Sequence, residues 1–260
     1  MARIALYLNK SIEENAGIYF DKAKKAKKKI EGAKEALAKS EKKLADLLRK
    51  KEKELKKGEK KEKIEREKKW YEKFHWFISS TGFLVIGGRD ATTNEIIIKK
   101  HTDTNDLVLH TDLAGSPFFV IKSEGKEIDK TTIREAADAT VTFSKTWKLG
   151  MKSTPAFYVK PEQVSKKAKA GEYLKKGAFM IYGKTNYIEN EINLAVGMTK
   201  DNAIMAGPAD AVKKNCENYV QLEQGREKTS SIAKLIQRKI GGDLDEIIRA
   251  LPAGGCKIKK

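Results

Sequence analysis

The sequence predicts an α+β protein, with a long N-terminal coiled-coil helix followed by a mixed α/β globular domain. Three observations carry that reading. Residues 1–69 are dominated by Lys, Glu and Ala, with small or apolar residues at alternating steps of four and three. From Trp70 to Asp90 the chain reads WYEKFHWFISSTGFLVIGGRD, which gathers Trp70, Phe74, Trp76, Phe77 and Phe83. Each such ring buries about 150–250 Å², so the cluster marks the edge of a core. After it, short apolar runs alternate with Gly/Asp turns and amphipathic helices. The division is therefore a helical region at 1–69 and a globular domain at 70–260.

The first helix is expected to start at Ser11, because Ser11-Ile-Glu-Glu14 has the Ser-x-x-Glu form of a capping box. Ile12, Ala16, Tyr19, Ala23, Ala26, Ile30, Ala33, Leu37, Leu44 and Leu47 follow at heptad a/d spacing, with only Ser40 breaking the series. A seam that long is a coiled-coil signature. Ser11 to Lys57 would reach about 70 Å at ~1.5 Å per residue. Gly58 and GEKKEKIEREKK suggest a turn and a short second helix, which is too short to cover the whole seam. A turn at Gly32, folding the helix on itself, is the alternative. Trp70, Phe74 and Phe77 fall at helical spacing, which favours packing as a lock between helix and domain over a base-stacking platform.

In the globular part, Phe83–Ile86 is a buried strand closed by Gly87-Gly88, and Thr93–Lys100 a helix capped by Thr92 or Thr93. Asp106–His110 and Pro117–Lys122 are strands joined through DLAGS. Thr132–Lys148 is one helix, with Ile133, Ala136, Ala137, Thr140, Ser144 and Trp147 on one face. Strands follow at Ala156–Val159, Ala178–Tyr182, Ile192–Val196, Ala203–Met205 and Tyr219–Leu222. Pro208 opens a short helix at its first turn. Helices at Thr229–Ile240 and Leu244–Leu251 are separated by Gly241-Gly242 and stopped by Pro252.

The 260 residues carry a formal net charge of +18. Residues 1–69 hold 24 Lys/Arg against 13 Asp/Glu, and the rest 30 against 23. Such a surplus points to a polyanion, either nucleic acid or an anionic membrane; a solvated, Lys-rich surface is the alternative. No apolar run approaches the ~20 residues that span a bilayer. The N-terminus, MARIALYLNKS, has too short an apolar run for a secretory signal. Cys216 and Cys256 have neither metal-ligand nor disulfide-scaffold spacing, which fits a reducing cytoplasm.

His110 and Asp112, in LHTD, can be drawn as a base and its orienting carboxylate, but no nucleophile accompanies them. Gly87-Gly88-Arg89-Asp90 matches no nucleotide-binding fingerprint. The sequence therefore favours a binding protein over an enzyme, with no catalytic residue, metal or cofactor. The stronger signal is Lys145, Lys148, Lys152, Lys160, Lys166, Lys167, Lys169, Lys175, Lys176 and Lys184, opposed in that stretch by Glu162 and Glu172 alone. Lys neutralises phosphates while Tyr stacks on unpaired bases, a combination suited to RNA. Tyr158 and Tyr182 are expected to face the core. Tyr173, in the loop SKKAKAGEYLKKG, is the stacking candidate, and Tyr187 lies just beyond. The expected nucleic-acid site is Tyr173 with Lys145, Lys148, Lys152, Lys166, Lys167, Lys169, Lys175, Lys176 and Lys184.

WYEKFHWFISSTGFLVIGGRDATTNE, NDLVLHTDLAGSPFFVIK and PAFYVKPEQVSKKAKAGEYLKKGAFMIYGKTNY closely resemble the NFACT-R domain of the RqcH/NEMF-type ribosome-quality-control proteins. GPADAVKK and LDEIIRALPAGGCKI are similar to its C-terminal part, and NKSIEENAGIYFDKAKKAKKKIEGAKEAL to the coiled coil before it. The flavour is archaeal. The resemblance implies an RNA-binding, ribosome-associated module of a factor that acts on obstructed large subunits carrying peptidyl-tRNA. Full-length members recruit tRNA and promote C-terminal tailing through an N-terminal domain not found here, so the sequence reads as a C-terminal fragment. The implied partners are large-subunit rRNA and tRNA, with no membrane. The seam would take a second copy or the protein's own N-terminal part. Asp106, His110, Asp112, Gly115 and Ser116 fall on the family's most recognisable motif. There Gly115 is expected to serve a turn and Asp112 to satisfy backbone donors, with a nucleic-acid site as the functional reading. A structural coiled-coil adaptor and a DNA-binding module are the rival classes.

Overall fold

The computed structural model describes residues 4–57, 66–167 and 174–259. The chain divides into two units, Met1–Ile64 and Glu65–Lys260.

In the first unit, helix α1 (Ile12–Lys57) runs unbroken for 46 residues, so no turn forms at Gly32. The capping box is present. The Ser11 N–H donates to Glu14 Oε2 at 2.8 Å and the Glu14 N–H to Ser11 Oγ at 3.1 Å. The segment before it is pinned by buried Asn15, whose Oδ1 accepts from the Tyr7 N–H at 2.8 Å. Its Nδ2 donates to carbonyls of Tyr7, Lys10 and Ser11. The seam is open: Ile12, Ile30, Leu37, Leu44 and Leu47 are all more than half exposed. The expected second helix falls mostly outside the described residues, and Arg66–Lys69 is not helical.

The second unit is α+β, built on two antiparallel sheets. The larger has the order β1-β2-β4-β3-β5-β8. Its strands are β1 (His75–Ile78), β2 (Leu84–Gly87), β3 (Leu107–Thr111), β4 (Phe119–Ile121), β5 (Ala156–Val159) and β8 (Asn186–Ile188). One row of paired residues crosses it: His75, Gly87, Phe119, Leu109, Tyr158 and Asn186. Phe143 stacks on His75 and Phe119 in that row. A Cβ at Gly87 would sit 2.3 Å from the Phe119 ring, so only glycine leaves the ring its place.

Trp70–Lys73 forms a single 3-10 turn and the chain then enters β1, so the helical spacing of Trp70, Phe74 and Phe77 is coincidental. Aromatic residues suit a pleated, half-buried strand, and pairing with β2 outweighs a spacing match over so few residues. Phe74 and Phe77 are fully buried, but Trp70 is 47% exposed. Helix α2 (Ala91–Lys100) is capped by Asp90 rather than a threonine: Asp90 Oδ1 accepts from the Thr93 N–H at 2.8 Å. The expected Thr132–Lys148 helix is two, α3 (Lys130–Thr142) and α4 (Lys145–Leu149). Ser144 breaks it, because its hydroxyl donates to the Val141 carbonyl and accepts from the Thr146 N–H, offering the backbone a new start.

A hairpin of β6 (Val164–Ser165) and β7 (Met180–Ile181) follows β5. The second sheet has the order β10-β9-β11-β12, from β9 (Leu194–Thr199), β10 (Ile204–Gly207), β11 (Cys216–Glu227) and β12 (Cys256–Ile258). Pro208 caps α5 (Ala209–Asn215) instead of occupying its first turn. Helices α6 (Thr229–Ile240) and α7 (Leu244–Ala250) contribute fully buried Ile232, Ile236 and Ile247. The sheets are tied where the Ile78 N–H meets Met205 Sδ at 3.3 Å and Asn215 Nδ2 donates to the Ile78 carbonyl at 2.9 Å.

Burial, aided by Arg89, pushes the His75 imidazole down to about 3. The fold thus favours neutral His75. Its contribution is complete above the ordinary value near 6.5 and declines as pH falls toward 3, by about 1.4 kcal/mol per pH unit. In urea titrations the wild type is expected to lose stability relative to His75→Phe between pH 7.5 and pH 5. A constant gap would place the imidazole in water. Buried Asp138, raised to about 6, titrates the other way but is common to both proteins.

Candidate nucleic-acid interface

The family-motif residues sit at the two ends of β3 and in the loop after it. Asp106, at the start, is buried and serves the fold. It pairs with the Lys122 ammonium and accepts from the Asp103 and Ser123 N–H groups at 2.8 and 2.9 Å. His110 stacks on Phe118 with centroids 4.2 Å apart, and its Nε2 lies 3.2 Å from the Ser116 carbonyl, which only accepts. Burial lowers its pKa, although that hydrogen bond pulls the other way.

Beyond β3, Asp112 is exposed and its carboxylate accepts from the Tyr187 hydroxyl at 3.2 Å, not from backbone donors. Hydroxyls do the backbone work instead: Ser116 Oγ donates to the Leu113 carbonyl at 2.7 Å, and Thr111 Oγ1 accepts from the Leu113 N–H. Gly115 serves the turn, at φ +82°. His110 and Asp112 therefore have different partners and do not form the base–orienter pair that LHTD suggests.

The loop meets the first group of lysines at Gly115. A Cβ there would lie 3.2 Å from Lys145 Nζ, so the ammonium rests against the glycine. Lys145 opens α4, and Lys148 and Lys152 are exposed behind it. The second group belongs to the β6–β7 hairpin and its exit, where Lys167, Lys175, Lys176 and Lys184 are exposed. Lys166 is engaged within the hairpin. Its ammonium donates to the Lys175 and Ala178 carbonyls, both at 3.0 Å, and lies over the Phe179 ring. A lysine so engaged braces its own loop. Lys169 and Tyr173 lie outside the described residues.

A ladder of rings joins the groups: Phe179 on Phe118 at 5.4 Å, Phe118 on His110, His110 on Phe157 at 6.3 Å, and Phe157 on Tyr187 at 5.6 Å. Its last member, Tyr187, is 60% exposed on edge strand β8 beside Asp112. Tyr187 was not among the expected site residues, although its place just beyond the lysine stretch was the available signal. Tyr182 is exposed rather than a core residue, its hydroxyl donating to the Lys167 carbonyl at 3.0 Å.

Among the described residues no cluster of His, Cys, Asp and Glu could hold a metal, and no helix is long and apolar enough to cross a membrane. Burial pushes the thiols of Cys216 and Cys256 up to about 12 and about 11.

The site is, in class, a cationic surface on an antiparallel α+β domain, with exposed lysines beside an aromatic edge. Residues 73–183 match the family described as NFACT protein RNA binding domain. The chain is 45% identical to the archaeal Rqc2 homolog aRqcH of Methanocaldococcus jannaschii, over 76% of this chain and 30% of that protein. It is 41% identical to the human ribosome quality control complex subunit NEMF, over 67% of this chain and 16% of the relative. The chain thus spans under a third of either relative's length. The C-terminal part of a fibronectin/fibrinogen-binding protein from Streptococcus suis is a distant likeness, at TM-score 0.38 and 17% identity over 70% of this chain and 78% of that one. On the sequence matches, the chain belongs to the NFACT family, as an RqcH/NEMF-type protein.

Proposed function

We propose that this chain is the RNA-binding, ribosome-associated module of a cytoplasmic quality-control factor. It acts on large ribosomal subunits obstructed by peptidyl-tRNA, and it binds rather than catalyses. The observation that carries this reading is the meeting of Lys145 with the Gly115 loop, both within the segment that matches an RNA-binding model, beside exposed Tyr187 just past its end. Lysines supply sequence-independent affinity for phosphates of rRNA or tRNA, and the exposed ring supplies stacking for an unpaired base. The test is co-sedimentation of the chain with large ribosomal subunits at low and moderate salt. Association that weakens with salt is the expected result. No association at either salt would leave the coiled-coil adaptor, and a preference for duplex DNA over subunits would favour the DNA-binding reading.

The open seam of α1 adds a partner to this proposal. A stripe with Ile12, Ile30 and Leu37 more than half exposed is costly in water and usually marks an interface. The occupant is either a second copy of the chain or another part of the same protein. If it is a second copy, the mass in solution is that of a dimer and Ile30→Lys returns it to a monomer. A monomer whose helix is fully protected from hydrogen exchange, whatever stands at position 30, would show the seam to be misread.

A further inference from the structure

A cleft of about 330 Å³ opens between β1 and the α7–β10 side of the domain, apart from the lysine groups. Trp70, Lys73, His75, Arg89, Ile204 and Arg249 are among its lining residues. Its carboxylates are already neutralised: Glu72 is bound by Arg66 at 2.6 Å, and Glu246 by Arg66 and Lys68 at 3.1 and 2.7 Å. Lys73, Arg89 and Arg249 form no ion pair with a carboxylate among the described residues. Arg89 Nη2 donates to the Phe74 carbonyl at 2.9 Å, while its Nε and the His75 Nδ1 are buried and make no hydrogen bond. Burial first, then the charge of Arg249, lower the Arg89 pKa while Asp90 pulls it the other way, and both guanidinium groups belong to residues that line the cleft. Cations without a carboxylate partner along one cleft are costly, and an anion bound among them relieves that cost. Arginine is the side chain best shaped to bind phosphate with two parallel hydrogen bonds.

The second half of the site is aromatic. The Trp70 indole stacks on His101, with centroids 4.5 Å apart and planes at 16°, yet remains 47% exposed. Backed on one side, it is a fixed platform. The cleft has the volume of a small-molecule pocket.

We propose that this cleft holds one unstacked nucleotide of a single-stranded RNA, with its phosphate between Arg89 and Arg249, Lys73 at the mouth and the base against Trp70. The proposal rests on the RNA-binding reading and adds to it a site for a single nucleotide. The exposed lysines track the backbone, while the cleft takes one base out of the stack.

The test uses the full chain and follows the Trp70 indole N–H resonance, assigned by its loss in Trp70→Phe. Adenosine 5′-monophosphate is expected to shift it saturably, and adenosine to bind about tenfold more weakly or worse, the equivalent of one lost charged contact. Arg249 is exposed on α7, so Arg249→Gln keeps the fold and is expected to weaken the nucleotide by a similar factor. Oligo(A) binding, read separately by its salt dependence, reports on the lysines. If oligo(A) binds while the nucleotide leaves the indole unmoved, the cleft proposal is overturned and the RNA-binding reading stands. If oligo(A) and ribosomal subunits both fail to bind, the reading itself falls and takes the RNA assignment of the cleft with it. An acidic peptide that shifts the indole in preference to the nucleotide would also overturn the proposal, in favour of a protein ligand.

Discussion

Lys122→Met is expected to destabilise the domain by about 3–5 kcal/mol, because it leaves the Asp106 carboxylate buried without its cation. Asp106 is 1% exposed and Lys122 8%. The ammonium also donates to the His101 carbonyl at 3.0 Å and to Asp103 at 2.6 Å, so one side chain ties the end of α2 to the start of β3. Breaking a buried pair costs more than the pair is worth, since the remaining charge keeps its desolvation penalty. The measurement is a shift of the urea midpoint at unchanged slope. RNA affinity of the folded variant should hardly change, because Lys122 lies inside. A loss below about 1 kcal/mol would mean that water reaches the pair, as it does exposed ones. The expected loss bears on the family motif, because it would assign Asp106 to folding rather than to contact with RNA.

Replacing Lys145, Lys148, Lys152, Lys175, Lys176 and Lys184 by Gln is expected to flatten the salt dependence of RNA binding. Each lost phosphate contact takes about 0.7–0.9 off the log–log slope, so the six together remove about 4–5. The stability of the variant should stay close to that of the wild type, since all six side chains are exposed. Lys166→Gln serves as the contrast. That ammonium is spent on two carbonyls of its own hairpin, so its loss is expected to loosen the hairpin without the slope change of a phosphate contact. His110→Ala should also leave the slope alone. An unchanged slope in the six-fold variant would make these lysines a solvated surface and return the adaptor reading to first place.

Local pattern was enough for much of this molecule. The capping box at Ser11 and Glu14, the heptad run through Leu47, and α6 at Thr229–Ile240 depend on neighbours within a few turns of chain, and each stands where the sequence placed it. The strand Ala156–Val159 is likewise in place. Local pattern failed where a tertiary partner overrode it. Phe74 and Phe77 share a helical interval, but Phe74 closes a 3-10 turn and Phe77 lies in a strand, because β2 offers Trp76 and Phe77 direct partners in Ile86 and Val85. The helix at Thr132 breaks because one serine hydroxyl satisfies the backbone on both sides of the break.

For the site, the sequence by itself determined the sign and the stretch: a concentration of lysines between Lys145 and Lys184, and a motif around the Gly115 turn. Composition is additive along the chain, so a charge surplus can be read without knowing the fold. Only the tertiary structure decided what each charge does. It turned Lys166 onto its own hairpin, buried Asp106 against a lysine 16 residues away, and set Lys145 on Gly115 from another element. It also brought Arg89 and Arg249, far apart in sequence, to the lining of one cleft. Whether a lysine meets solvent or a carbonyl depends on which strands pair, and pairing is fixed by burial of the whole core, not by the residues beside it.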